Sequence, residues 1–364
     1  MSVLEERIPV GVAAATGAVG QRFVSLLQDH PWFEVTVVTA SERSAGQTYR
    51  DAVRWVIPGD VPASVADLPV RETTIDAFDE VAVVFSALPA EAARELEPQW
   101  AARGYVVCTN ASAMRMIEDV PLLIPEINAD HIDLIAAQRA RRGWDGLIVA
   151  SPNCSTTGIV FPMAALHRAF GLATAHAVTM QAISGAGYPG VASMDILDNI
   201  IPYIGGEEDK LEHEPNKLLG TLQGDHIEMA PFKVSAQTHR VPVMDGHLAA
   251  LSIGLREKHS PDEVLQVLRS YRAPDVVADL PTGLTHPMIV RDEVDRPQPR
   301  RDRDAEDGMA ITVGRVQRCA VLDVKLVSLV HNTLRGAASG AILNAELLAA
   351  CGYVEYEGDL PGLP

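Results

Sequence analysis

The chain has 364 residues, 47% of them hydrophobic, which is enough for a large core and for two domains. Its formal net charge of −18 speaks against nucleic-acid binding, because a phosphate backbone demands basic patches. The four cysteines, Cys108, Cys154, Cys319 and Cys351, include no C-x-x-C pair, which argues against a zinc site, a thioredoxin-like site or a disulfide framework. The amino-terminal stretch Met1 to Arg7 is charged and lacks a signal-peptide core, and no apolar run reaches transmembrane length. A cytoplasmic, reducing compartment without membrane contact is expected.

In chain order, Ile8 to Ala13 reads as a first strand, Val19 to Gln28 as a helix and Phe33 to Val38 as a second strand. Val81 to Phe85 and Tyr105 to Cys108 read as further buried strands, with a helix over Glu91–Ala102 between them. Leu147 to Ala150 is another short apolar strand, and Ile159 to Phe170 an Ala-rich helix. Such alternation predicts a parallel, doubly wound α/β sheet with ligands at the carboxyl ends of its strands. Residues 1–153 should form this first domain. Beyond it, Ala175–Met180, Lys233–Gln237 and His247–Ile253 read as strands of a second, antiparallel-rich sheet within residues 154–330. Arg291 to Asp307, rich in Asp, Arg and Pro, reads as an exposed loop. Asn332 to Cys351 reads as one long helix, so that residues 331–364 should return to complete the first domain.

Three stretches carry chemistry. Gly11 to Gly20 links the first strand to the first helix, and its small residues let a pyrophosphate approach a helix N-terminus. Ala14 stands where glycine is commoner, and a tight turn without ligand is the plainer alternative. After the second strand, where NAD binders usually place an acid, Thr39-Ala40-Ser41-Glu42-Arg43-Ser44 is basic and hydroxyl-rich, which favours a 2′-phosphate and hence NADP, with Glu42 the dissenting residue. Cys154 falls on a strand-to-helix turn among Ser and Thr, where a helix N-terminus should push a thiol towards thiolate. The alternative is a buried structural Cys. Arg240 and His247, seven apart around a Pro and a Gly, suit a bidentate carboxylate grip and an acid/base. Glu214 and Lys217 are either a helix-surface pair or partners of an ammonium and a phosphate.

These segments resemble aspartate-semialdehyde dehydrogenases, especially the archaeal and fungal branch, almost end to end. The resemblance is carried by Ala15 to Phe23, Ala40 to Gly46, Asn110 to Arg115, Pro152 to Thr156, Gln181 to Tyr188, Arg240 to His247 and His331 to Ala338. It implies a Rossmann-type doubly wound dinucleotide-binding domain plus an α+β catalytic and dimerisation domain. It implies Cys154 as nucleophile, His247 as acid/base and Gln181 as the residue that orients a thioester. Arg240 would bind the substrate α-carboxylate and Glu214 the α-ammonium, while Arg115, Asn153 and Lys217 would hold the phosphate. Thr16, Gly17, Ala18, Val19, Ser41, Arg43, Ser44 and Ser86 would hold NADP, with Ser184, Gly185 and Asn332 along the nicotinamide. No metal is implied. The implied reaction is NADPH-dependent reduction of aspartyl-4-phosphate to aspartate 4-semialdehyde, towards lysine, threonine, methionine and isoleucine, by a homodimer or homotetramer. Malonyl-CoA reductases look like relatives of the same family, and an acyl-substrate reductase stays open beside this reading. So does an NADPH-binding sensor with an oxidisable Cys154.

Overall fold

The computed structural model describes residues 7–355. The charged start, residues 1–6, and the last part of the expected returning segment, residues 356–364, lie outside the described residues. Six strands, β1 (Ile8–Ala13), β2 (Phe33–Ala40), β3 (Val70–Glu72), β4 (Val83–Ser86), β5 (Val106–Thr109) and β6 (Leu147–Ala150), pair in the order β3-β2-β1-β4-β5-β6. Every pairing in this sheet is parallel. Strands β4, β5 and β6 are buried at every position, as expected when helices cover both faces. The strand order reverses between β1 and β4, so the crevice at their carboxyl ends is the natural ligand site.

The second sheet takes β7 (Leu172–Gln181), β10 (Lys233–Arg240), β11 (His247–Leu255), β12 (Met288–Val290), β13 (Ile311–Arg318) and β14 (Val324–Val330). A small hairpin of β8 (Thr221–Gln223) and β9 (His226–Glu228) stands apart from it. The order β10-β7-β11-β14-β13-β12 mixes three antiparallel pairings with two parallel ones at its edges. Helix Cys154–Phe170 packs on this sheet, and close approach is built in at Gly158. A Cβ there would come within 2.8 Å of Val330 Cγ1. Ser328 Oγ donates to the Gly158 carbonyl at 2.6 Å, which ties the helix to β14. On the opposite face, Val178, Met180 and Leu248 are only half-buried.

Two expectations change. The returning segment is a wide turn at Leu334–Ala338 followed by a helix at Ser339–Ala350, not one helix from Asn332. That helix is apolar almost all round and shares a core with Val10, Phe23, Phe85 and Val149 of the first sheet. Residues 291–307 are not simply an exposed loop. Asp302, 1% exposed, accepts from Arg296 Nε at 2.6 Å and from Gln298 N at 2.7 Å, so the charged residues neutralise one another inward. A short helix, Pro299–Asp302, forms around this staple. Among the described residues no helix is long and apolar enough to cross a membrane.

Candidate active site

The loop after β1 is shaped for an anion. Ala14 adopts a left-handed φ of 56°, and Gly17 N donates back to its carbonyl at 3.1 Å. Helix Ala18–Leu27 then starts with no side-chain cap and no acid in its first turn, leaving its first N–H groups for a ligand. A Cβ on Gly17 would meet nothing nearer than the Ala14 carbonyl at 3.4 Å, so the approach is open. One on Gly20 would fall 2.3 Å from that oxygen, so only glycine lets the helix seat this closely. Thr16, Ala18 and Val19 are half-buried around the cradle. After β2, a short turn at Glu42–Ser44 exposes Ser41, Glu42 and Arg43 and half-buries Ser44. Arg43 has no ion-pair partner among the described residues. These features fit a dinucleotide with a 2′-phosphate. Ser86 does not line the cleft with its side chain: it is fully buried at the end of β4, beside Glu97.

Helix Cys154–Phe170 begins at the cysteine itself, because Asn153 caps it. Asn153 Oδ1 accepts from Ser155 N at 2.9 Å and Thr156 N at 3.2 Å. Its Nδ2 donates to both oxygens of Glu207, at 3.1 and 2.9 Å. The Asn153 amide is therefore committed to the cap and to Glu207, rather than free for phosphate or an oxyanion. Gly336 closes the other side; a Cβ there would lie 2.8 Å from Cys154 Cβ. Cys154 is a free, half-buried thiol. Burial, and next the Glu207 carboxylate, push it up to about 12, while Arg115, the Ser155 N–H and Lys210 pull the other way. The N–H at the helix start works towards the thiolate, as expected, and burial outweighs it.

Strand pairing brings Gln181, Arg240 and His247 to one end of the second sheet. Arg240 is paired with Gln181, and Leu248, next to His247, with Met180. His247 Nδ1 accepts from Ala182 N at 3.0 Å, which puts the proton of the neutral ring on Nε2. Nε2 is buried without a partner among the described residues. Burial, helped by Arg240 and His331, pushes this imidazole down to about 3. The ring is thus neutral, with its Nδ1 lone pair taken by Ala182 N and its Nε2–H left without a partner among the described residues. Arg240 Nη1 donates to the Ala182 carbonyl at 2.8 Å, so one residue orients both side chains. A Cβ on Gly185 would come within 2.8 Å of Arg240 Nη1 and 2.9 Å of His247 Nε2, so any side chain there would fill the site. Asn332 holds the loop: its Nδ2 donates to Ser184 Oγ at 2.9 Å and its Oδ1 accepts from Gly246 N at 2.9 Å.

Helix Glu207–Leu218 corrects the assignment of the acid–lysine pair. Lys217, 2% exposed, donates to the carbonyls of Arg115, Ile117 and Val120 at 2.8, 2.7 and 2.8 Å. Its three protons are spent, so it is neither a surface residue nor a phosphate ligand. Glu214, 1% exposed, takes Arg115 Nη1 at 3.0 Å and Asn153 N at 2.7 Å, not an open ammonium site. The pair that faces the nucleophile is Glu207 and Lys210. Glu207 accepts from Gln181 Nε2 at 3.4 Å and from Lys210 Nζ at 2.6 Å, besides Asn153. Neither residue was singled out in the sequence, although Gly205-Gly206 before an acidic run marks a helix start there. Among the described residues no group of three or more His, Cys, Asp or Glu is placed to hold a metal ion.

Residues 9–135 match the semialdehyde dehydrogenase NAD-binding domain, and residues 163–335 the semialdehyde dehydrogenase dimerisation domain. The aspartate-semialdehyde dehydrogenase of Archaeoglobus fulgidus is 50% identical over 345 residues, covering 94% of this chain and 98% of that protein. That of Methanothermobacter thermautotrophicus is 48% identical over 343 residues, covering 94% and 99%. The crystal structure of aspartate-semialdehyde dehydrogenase with NADP from Candida albicans superposes with a TM-score of 0.89 at 40% identity, covering 96% of this chain and 100% of that one. With a dinucleotide cradle at one sheet's crest and a Cys–Gln–Arg–His cluster at the end of the other, the chain belongs to the aspartate-semialdehyde dehydrogenase family.

Proposed function

We propose that this chain catalyses the reversible NADPH-dependent reduction of L-aspartyl-4-phosphate to L-aspartate 4-semialdehyde and phosphate. The observation that carries this reading is the placement of Cys154 at a helix start where its charge is felt by Arg240, which shares the Gly185 corner with a neutral His247 whose Nε2–H is free, amid several grips for ionic groups. Arg240, engaged only through Nη1 among the described residues, binds the substrate α-carboxylate as a planar fork. Glu207 takes the α-ammonium, since its carboxylate sits beside Cys154 and Gln181. Arg115 and Lys210, both felt by the thiol as positive charge, take the phosphate.

The Cys154 thiol first ionises to solvent. Its sulfur attacks the acyl carbon, the carbon–oxygen bond to phosphate breaks, and Arg115 and Lys210 hold the departing anion. Gln181 orients the resulting thioester. Ser184, Gly185 and Asn332 would hold the nicotinamide, which would supply the hydride when bound. Charge then gathers on the former carbonyl oxygen, and His247 Nε2–H donates to it. The carbon–sulfur bond breaks and the sulfur leaves as thiolate, ready for the next turn without a further proton. Thr16 to Val19 cradle the pyrophosphate, and Ser41, Arg43 and Ser44 the 2′-phosphate. The reading also includes a homodimer that buries the open face of the second sheet, and its products feed amino-acid biosynthesis.

The direct test is NADPH production from aspartate semialdehyde and phosphate. Cys154→Ser should fold and bind NADPH but lose turnover by at least about a thousandfold, because a serine hydroxyl is far less ionised near neutral pH. Near wild-type turnover in that variant would overturn covalent catalysis at Cys154. Glu207→Gln should raise the KM for the semialdehyde; an unchanged KM would remove Glu207 from the ammonium role.

A further inference from the structure

Two buried ionic side chains on helix 207–218 touch no cleft, yet both hold residues that do. Lys217 reaches three main-chain oxygens within one short segment, those of Arg115, Ile117 and Val120. Burying an ammonium is costly unless every proton finds an acceptor, and here each does. Burial still pulls Lys217 down to about 8, with Asp119, Glu118 and Glu214 as the opposing charges. Glu214, one turn earlier, divides its two oxygens: Oε1 takes Arg115 Nη1, and Oε2 takes the main-chain N–H of Asn153. Arg115 Nη2 is tied in turn to the Asn110 carbonyl at 2.7 Å. One helix therefore holds Arg115 by its backbone and by its side chain. The same Glu214 also steadies the residue that caps the Cys154 helix.

We propose that Glu214 and Lys217 are positioning residues, which keep Arg115 and Asn153 in register and so align the phosphate site with the nucleophile. Neither touches substrate. Without Lys217, the buried carbonyls of Arg115 and Val120 lose their donor, Ile117 keeps only the N–H of Val120, and the 115–120 segment must relax. Without the Glu214 carboxylate, Arg115 loses the acceptor that aims it. The proposal rests on the reading of Arg115 as a partner of phosphate.

A double-mutant cycle tests it, in the direction that consumes semialdehyde, phosphate and NADP, with phosphate varied. Lys217→Met should raise the phosphate KM about tenfold, the scale of one charge-assisted contact, and change the semialdehyde KM by no more than about twofold. In the Arg115→Ala background the same substitution should add no more than about twofold, because its effect passes through Arg115. Full additivity would make Lys217 an independent ligand and overturn the proposal. Glu214→Gln keeps an oxygen for Asn153 N–H but turns an amide NH₂ towards Arg115. It should reproduce the phosphate-specific rise, and it decides the matter if Lys217→Met fails to fold by near-UV circular dichroism. An unchanged phosphate KM in folded Glu214→Gln overturns the proposal. If Arg115→Ala itself leaves phosphate KM unchanged, the phosphate reading of Arg115 falls. If Arg115→Ala raises it while the other two variants do not, only the positioning role falls.

Discussion

Glu97→Gln should make the protein more stable, and only above mildly acidic pH. Helix Ala90–Ala102 places Glu97, 0% exposed, between Ser86 at the end of β4 and Thr109 at the end of β5. Thr109 Oγ1 donates to Glu97 Oε1 at 2.6 Å while accepting from Ala111 N at 3.0 Å. The second carboxyl oxygen has no partner among the described residues, nor does Ser86 Oγ. Burial pushes the carboxyl from 4.5 up to about 7, against the help of the Thr109 hydroxyl. At about 1.4 kcal/mol per pH unit between those two values, ionised Glu97 costs the fold roughly 3 kcal/mol. The sign follows from proton binding. Below 4.5 both states hold the proton; between 4.5 and about 7 only the folded state does, so stability falls as pH rises; above that the full cost is present.

Glutamine keeps the shape and the acceptor for Thr109 and replaces the charge with an NH₂ that can donate to Ser86. Urea unfolding of both proteins is the assay. The variant should exceed the wild type by less than about 1 kcal/mol at pH 5 and by roughly 3 kcal/mol at pH 8.5. A difference independent of pH would mean that Glu97 ionises normally. A variant less stable at both values would mean that the negative charge is needed, and the reasoning would fail.

Arg43→Ala should remove most of the preference for NADPH over NADH, about tenfold, and spare NADH, because Arg43 is exposed and unpaired where a 2′-phosphate would sit; equal losses for both cofactors by titration would remove Arg43 from that role. Sedimentation at micromolar concentration should give a homodimer, since Met194, Leu197, Ile200 and Tyr203 crowd one exposed stretch, tied to the edge strand β10 by the Ile201–Arg240 bridge; a monomer, or an unchanged oligomer in Leu197→Asp with Ile200→Asp, would place the contact elsewhere.

The first sheet was legible because its strands are short apolar runs bounded by helices of ordinary length. Five of its six strands were read to within two residues at each end, including Ile8–Ala13 and Leu147–Ala150 to the residue. Strand β3 was not read: only three residues long at the sheet edge, it offers no run. Strands β13 and β14 went unread as well. Their partly open positions, with Arg315, Gln317, Arg318 and Lys325 outward, break the apolar pattern. The 291–307 segment misled through composition, because arginine and aspartate read as solvent-seeking until they meet each other.

The site was legible where function follows from local backbone and not where it depends on the direction a helical side chain takes. Cys154 at a strand-to-helix turn, and Arg240 and His247 at adjoining strand ends, are placed by elements visible in one dimension. Glu214 and Lys217 share the i,i+3 spacing of Glu207 and Lys210, and spacing alone cannot rank two pairs on one helix. Seven residues, nearly two helical turns, separate the pairs, so both lie on almost the same face. What differs is height along the axis: the first turn meets Asn153 and Gln181, whereas the later turns meet the 110–120 segment behind Arg115. The same residue types therefore sit differently: Glu207 and Lys210 face Cys154 and Gln181, while Lys217 is closed by backbone carbonyls and Glu214 by Arg115 and Asn153. His247 likewise carried its chemistry in a feature no sequence displays, the Ala182 N–H that occupies Nδ1 and leaves Nε2–H as the group the site can use.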